Sequence, residues 1–161
     1  MLRYAKIKKC EAENGIGVGA SLFVQGCHFH CQGCFNQETW DFEGGEEWTE
    51  EVEEEFMEVI SPWYINRVSI LGGEPLAPEH RGDVFKLIVK IKRIYPEKEI
   101  WLYTGYTYEE IKDIYGIRFC DYIVDGVFKE ELKDISLRFR GSRNQNIWRN
   151  NGYGVFVKED L

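Results

Sequence analysis

No stretch of this 161-residue chain approaches the roughly 20 consecutive apolar residues that crossing a bilayer requires. Its first residues, Met1-Leu2-Arg3-Tyr4-Ala5-Lys6, lack the apolar core and cleavage site of a secretory signal. Neither membrane insertion nor secretion is expected, and the cytoplasm is the expected compartment. A phosphate-cradling P-loop and a Ser/His/Asp arrangement are also missing, which leaves kinase and hydrolase chemistry without support. Basic charge is scarce: 20 Lys and Arg stand against 28 Asp and Glu, a net charge of −8. Such a chain gains nothing from releasing phosphate counterions, which argues against nucleic acid as a partner. With no internal repeat, low-complexity tract or linker, residues 1–161 read as a single domain.

What is present fills a core: 43% of residues are apolar and 15% aromatic. The acidic excess is local. Residues 43–58 hold nine Glu and no Lys or Arg, the pattern of a solvated helix face. Arg138, Arg140, Arg143 and Arg149 lie in a stretch without a carboxylate between Asp134 and Glu159.

Val52, Phe56, Val59 and Ile60 recur at helical spacing behind an N-capping Thr49, so a helix is expected over about 49–60, stopped by Ser61-Pro62. Arg67 to Leu71 reads as a short buried strand ending in Gly72-Gly73. Val84, Leu87, Ile88, Ile91 and Ile94 mark a second helix that stops before Pro96. Ile100 to Tyr103 is a strand, and Thr107 to Glu110 is a capping box opening a helix through Ile111 and Ile114 to Gly116. Tyr122 to Val124 is a further strand, Ala20 to Val24 an earlier one, and Leu2 to Lys8 a candidate edge strand. Alternation of strand and helix implies right-handed crossovers and an α/β fold. At this length a full eight-fold barrel of ~250 residues is excluded, so the expectation is a partial, open barrel of about four to six mainly parallel strands. In that architecture ligands bind beyond the C-terminal ends of the strands, where Gly72-Gly73-Glu74, Thr104-Gly105 and Asp125-Gly126 all fall.

The cysteines supply the chemistry. There are five, and Cys27, Cys31 and Cys34 form a C-x3-C-x2-C run directly after the Ala20 to Val24 strand. They are too crowded for a disulfide framework and match thiolates sharing a metal or cluster. A [4Fe-4S] cube needs four ligands, so a loop supplying three leaves one iron to a group that is not protein. Zinc completed by His28 or His30 is the alternative, although zinc modules usually pair two C-x2-C hooks and only one is present. Cys10 and Cys120 read as small buried hydrophobes. Gly72-Gly73-Glu74-Pro75 would present bare backbone on the cysteine rim, with Glu74 placed to accept from an ammonium group.

The cysteine run followed by Gly-Gly-Glu-Pro resembles the radical S-adenosylmethionine (SAM) enzymes. More narrowly, Gly26-Cys27 to Asn36, Thr39-Trp40, Leu71 to Leu76, Tyr103 to Tyr106, Val124 to Gly126, and Arg140-Gly141-Ser142 with Asn144-Gln145 resemble the activating components of anaerobic ribonucleoside-triphosphate reductase. The resemblance implies one radical SAM domain over 1–161 and a [4Fe-4S] cluster on Cys27, Cys31 and Cys34. It also implies SAM held by Gly33, Cys34, Phe35, Gly72, Gly73, Glu74, Thr104 and Asp125, with Asn36 a further polar neighbour. The implied reaction is reductive cleavage of SAM to a 5'-deoxyadenosyl radical that takes a hydrogen atom from a glycine of the large reductase subunit. A flavodoxin, ferredoxin or thiol system would donate the electron. Gly33 stands where many members carry an aromatic against the adenine, leaving that contact to backbone or Phe35, and Val127 replaces a frequent Pro. A small radical SAM enzyme acting on a metabolite, such as a deazapurine ring-forming synthase, and a non-catalytic iron-sulfur or zinc protein are the competing readings.

Overall fold

The computed structural model describes residues 1–161. Its eight strands are β1 (Arg3–Glu11), β2 (Gly19–Val24), β3 (Glu46–Glu47), β4 (Arg67–Gly72), β5 (Glu99–Tyr103), β6 (Tyr122–Asp125), β7 (Asn146–Asn150) and β8 (Phe156–Glu159). They form one sheet in the order β3-β1-β2-β4-β5-β6-β7-β8. The expected barrel of four to six mainly parallel strands is therefore corrected: the sheet is mixed, with eight strands and four antiparallel pairings against three parallel ones. The antiparallel strands come from both flanks. β1 runs against β2, and after β6 the chain turns back without a helix to make the β7–β8 hairpin. Residues 126–145 lack apolar helical periodicity, so no crossover forms there to return a parallel strand.

Between these flanks, β2, β4, β5 and β6 are adjacent and parallel, so their C-terminal ends share one edge of the sheet. The helices α1 (Glu50–Ile60), α2 (Arg81–Ile94) and the four-residue α3 (Tyr108–Ile111) connect them. Thr49 caps α1 by accepting from the Val52 N–H at 3.2 Å, and Glu50, Glu51 and Glu53 place negative charge at its positive end. The Thr107–Glu110 capping box forms as its spacing implies. The helix nonetheless stops at Ile111, because the chain turns extended at Ile114 and re-forms a 3-10 turn over Tyr115–Phe119. That bend lets Ile111 and Ile117 both enter the core.

Each face of the sheet has its own use. Ala20, Leu22, Val24, Val68, Ile70, Ile100, Leu102 and Ile123 pack with Phe56, Ile60, Val84, Leu87, Ile88 and Ile91 of the helices. Burying each such side chain is worth about 1.5–3 kcal/mol, so this layer dominates stability. On the opposite face, Trp101, Tyr122, Val124 and Ile147 make a small cluster against Ile16, Tyr103, Phe139 and Leu161, with no helix over them. Cys120 is buried as expected, whereas Cys10 is exposed because it lies near the outer end of β1.

The uncovered face is closed from below by the β1–β2 connection, pinned by a buried ion pair. Arg67 is fully buried and donates through Nη1 to Glu11 Oε1 at 2.9 Å and Ser69 Oγ at 2.7 Å, and through Nη2 to the Glu11 carbonyl at 3.0 Å. Ser69 Oγ donates to the Asn14 carbonyl at 2.6 Å, and Ser21 also bonds the Glu11 carboxylate. Burial pushes the Glu11 carboxyl up, but the bonds from Arg67, Ser21 and the Glu13 N–H outweigh it and bring the group down to about 2. A depressed carboxyl stabilises the fold above its unfolded value and loses that contribution as pH falls toward the folded one. Glu11→Ala leaves a buried guanidinium uncompensated and should cost about 3–5 kcal/mol in urea unfolding at neutral pH. The gap between wild type and variant should shrink as pH is lowered from about 4.5 toward about 2. A gap independent of pH, or absent, would show that the pair does not hold the connection.

Candidate functional site

Beyond the C-terminal ends of the parallel strands lies a cavity of about 610 Å³, bounded at one end by the cysteine loop. The loop is closed at its base by main-chain bonds. Gly26 N–H donates to the Thr39 carbonyl at 2.7 Å and Cys27 N–H to the Trp40 carbonyl at 3.1 Å. The buried Gln25 side chain donates to the carbonyls of Glu38 at 3.0 Å and Asp41 at 2.8 Å. Within the loop, Cys34 N–H donates to the Cys31 carbonyl at 3.1 Å, and Asn36 N–H reaches Cys34 Sγ at 3.4 Å. An N–H aimed at sulfur stabilises a thiolate there.

All three thiols line the cavity. No three of the His, Cys, Asp and Glu side chains are grouped to hold a metal ion. The histidines are engaged elsewhere: the His30 ring stacks on Trp40 at 4.6 Å and 8°, while the His28 ring lies tilted at 35° against Phe42 and bonds Glu79. Neither lines the cavity, so the donor set facing it is sulfur alone on this loop. Burial pushes the Cys27 and Cys31 thiols up, with backbone N–H bonds opposing, so loading a metal cluster must displace their protons. Three thiols around a pocket wide enough for more than one atom, with an apolar surround of Phe29, Phe35 and Leu71, fit a cluster.

The opposite wall is the end of β4. Gly73 N–H donates to the Val24 carbonyl at 2.9 Å and Glu74 N–H to the Gly26 carbonyl at 2.7 Å, which lashes the diglycine to the root of the cysteine loop. A Cβ on Gly73 would sit 2.4 Å from the Gly26 carbonyl oxygen, and one on Gly72, at φ +105°, would meet Val24 and Phe23 backbone at 2.8 Å. The diglycine is thus bare because two backbones cross there.

Glu74 is buried and takes three hydrogen bonds: Gly105 N–H to Oε1 at 2.6 Å, and Leu76 N–H at 2.9 Å and Thr104 Oγ1 at 2.7 Å to Oε2. Burial still pushes its carboxyl up, to about 7, against those donors. The carboxylate expected to receive an ammonium is therefore largely committed to the chain. It ties the β4 and β5 ends together. The Gly73 carbonyl, by contrast, receives no hydrogen bond from the chain.

Of the residues expected to surround a cofactor, Cys34, Phe35, Asn36, Gly72, Gly73, Glu74 and Thr104 line the cavity with Cys27 and Cys31, and Gly33 and Asp125 do not. Gly33, at φ +75°, turns against the Glu130 side chain. Asp125 accepts from the Tyr108 N–H at 2.7 Å and the Asn146 N–H at 3.1 Å, fastening α3 and β7 to the end of β6. Its carboxylate is spent on those two N–H groups. The wall also includes Lys6, Lys8, Asn14, Tyr103 and Arg140, which were not among the residues expected to hold a cofactor. Lys6 and Lys8 alternate along β1 and flank the Phe23 ring, a period-two signal visible only once β1 is known to pair with β2.

Three thiols line a cavity at the end of a parallel strand set, and the chain matches the family described as a 4Fe-4S single cluster domain over residues 13–148. A protein of Enterobacteria phage T4, named as an anaerobic ribonucleoside-triphosphate reductase-activating protein, is 38% identical over 149 residues, covering 92% of this chain and 95% of its own. Proteins of the same name from Vibrio cholerae and Escherichia coli K12 are 37% and 35% identical, over 92% and 91% of this chain and 98% and 97% of theirs. The chain belongs to the family of anaerobic ribonucleoside-triphosphate reductase-activating proteins.

Substituting Gly73→Ala should force the diglycine away from Gly26 and disturb the cysteine loop with it. The expected result is a loss of about 2–4 kcal/mol in stability and poor iron incorporation on anaerobic reconstitution. An alanine variant that melts and loads iron like wild type would show that the crossing can relax.

Proposed function

We propose that the chain is an activase that carries one [4Fe-4S] cluster on Cys27, Cys31 and Cys34, binds SAM beside it, and generates the glycyl radical of anaerobic ribonucleoside-triphosphate reductase. When bound, cluster and SAM supply the hard step: one electron from a flavodoxin, ferredoxin or thiol system splits SAM into methionine and a 5'-deoxyadenosyl radical, which becomes 5'-deoxyadenosine on taking the glycine hydrogen. The observation that carries this reading is the placement of three thiols and the Gly72-Gly73 diglycine on walls of one cavity. Relatives matched over nine-tenths of the chain are named as activating proteins of that reductase, which supports the reading.

The chain's own residues bind and position. Cys27, Cys31 and Cys34 give up their protons to become ligands, and the burial that pushes the Cys27 and Cys31 thiols up also limits water at those two sulfurs. The Gly73 carbonyl is the acceptor available to the ammonium of SAM, with Gly72 and Gly73 leaving room for it. Thr104 and Glu74 hold that backbone in register, while Phe35 at the mouth borders the rest of the ligand. Phe35 is 62% exposed and tilts on Phe128 at 5.0 Å, so it sits where a ligand would cover it. No helix of the chain is long and apolar enough to cross a membrane. Free thiols and an oxygen-labile cluster suit the cytoplasm.

Anaerobically reconstituted protein, reduced and mixed with SAM and the reductase, should release 5'-deoxyadenosine and give a glycine-centred paramagnetic signal on the reductase. Cys27→Ala, Cys31→Ala or Cys34→Ala should each abolish both. SAM left uncleaved by a fully loaded, reduced protein would refute the reading; cleavage without a signal on the reductase would redirect it to a metabolite substrate.

A further inference from the structure

The connection between β6 and β7 supplies one wall of the cavity, with Lys133, Ile135, Leu137 and Phe139 on it. Its outer part is a closed loop. Lys133 and Ser142 face each other in an antiparallel bridge, Arg143 N–H donates to the Leu132 carbonyl at 2.9 Å, and Asp134 N–H donates to the Gly141 carbonyl at 3.1 Å. This base abuts the cysteine loop. A Cβ on Gly141 would lie 2.9 Å from the Phe35 ring, and Lys133 Nζ sits 5.3 Å from that ring's centre. At the tip, the Asp134 carboxylate accepts from the Ser136 N–H at 2.9 Å and from its hydroxyl at 2.5 Å, and Leu137 N–H donates to the Asp134 carbonyl at 3.3 Å. These bonds close a turn with Ile135 at its crest.

Ile135 lines the cavity and is nevertheless 93% exposed, so it stands at the mouth. It packs in neither apolar cluster of the fold. A turn position facing water is served by polar residues, Gly or Pro, and folding gains nothing from a branched apolar side chain there. A single exposed apolar side chain is ordinary on a protein surface, but Phe35 is exposed on the same cavity. Apolar area gathered at an entrance marks a place where another molecule is met. Trp63, Tyr115 and Tyr153 are as bare, and none of them lines this cavity.

We propose that Ile135 is a docking residue for the reductase: an apolar side chain next to the partner's glycine packs on it when the glycine-bearing segment enters the cavity. The inference rests on the activase reading above. That reading brings a main-chain glycine to a radical formed beside the three thiols, so the residues on either side of the glycine must cross the mouth. A glycine adds no side chain to the binding energy, and recognition falls to its neighbours and to what they meet at the rim. Phe35 borders SAM in that reading and Leu137 is half-buried, which leaves Ile135 as the bare apolar residue of the rim. Covering it removes apolar area from water, and the bonded turn beneath it lowers the ordering cost of docking.

The test compares wild type, Ile135→Ser and Ile135→Leu as cluster-loaded full-length proteins. Glycine-centred signal is followed against reductase concentration at saturating SAM, and 5'-deoxyadenosine release against SAM without the reductase. Melting temperature and iron content are recorded for each protein. Ile135→Ser should raise the half-saturating reductase concentration about tenfold, the loss expected when one apolar side chain no longer contributes its buried area. Its melting temperature, iron content and SAM dependence should stay at wild-type values. Ile135→Leu keeps the apolar area and should stay within about twofold of wild type in the reductase dependence. Wild-type reductase dependence in Ile135→Ser overturns the inference. A loss in Ile135→Leu equal to that in Ile135→Ser, or one accompanied by a matching fall in melting temperature, iron content or SAM affinity, overturns it as well. A wild-type protein giving no signal on the reductase would instead overturn the activase reading itself.

Discussion

The site depends on one carboxylate and the peptide it belongs to. Through its N–H, Glu74 is bonded to the Gly26 carbonyl at the root of the cysteine loop, and through its side chain it gathers Leu76, Thr104 and Gly105. Three strand ends, those of β2, β4 and β5, are thereby locked into one rim. The lock requires a backbone crossing at Gly73 that tolerates no Cβ, with the Gly26 oxygen 2.4 Å from where one would be. It also requires burying a carboxyl whose solvation loss raises it to about 7. A buried polar network of this kind is costly when incomplete and rigid when satisfied. Here the bonds are made, and the result is a fixed distance between cysteine loop and diglycine.

Charge is sorted around that rim. The chain carries −8 overall, concentrated in the Glu-rich segment that includes α1. The cavity wall sets Lys6, Lys8, Lys133 and Arg140 against Glu13, Glu74 and Asp134. Lys6 and Lys8 lie 4.7 and 5.6 Å from the Phe23 ring centre, so their stems cover apolar surface while their ammonium groups add positive potential. Both lysines are also paired, Lys6 with Glu38 at 3.7 Å and Lys8 with Glu13 at 3.6 Å, so the wall carries mixed charge.

The helical half of the fold was readable because each element obeyed one local rule. Thr49 capped α1, Val84 to Ile91 kept helical spacing, and the strands from Ala20, Arg67, Ile100 and Tyr122 were apolar runs ending in Gly or polar turns. The sheet was misjudged where pairing is non-local. Asn146–Asn150 mixes Ile, Trp, Arg and Asn, and only pairing with β6 and β8 makes it a strand. In the site, the spacing of the cysteines and of the diglycine pointed to the strand edge where both line one cavity. Gly33 and Asp125 were misplaced for the converse reason: proximity in sequence to a functional edge does not say which way a residue faces, and both turn to structural partners. Tyr103 and Arg140 stand in segments that carried the family resemblance, but their place on the cavity wall shows only once their neighbours are known.

The central claim is that the loop supplies three thiolates and leaves the remaining coordination position of the cluster to SAM. The most direct measurement is electron-nuclear double resonance of the reduced, reconstituted protein with SAM labelled with nitrogen-15 at its amino group and oxygen-17 at its carboxylate. The account predicts hyperfine coupling from both labels and a changed cluster spectrum on adding SAM, lost when any one of Cys27, Cys31 or Cys34 is replaced. A spectrum indifferent to SAM, with no coupling to either label, would contradict it.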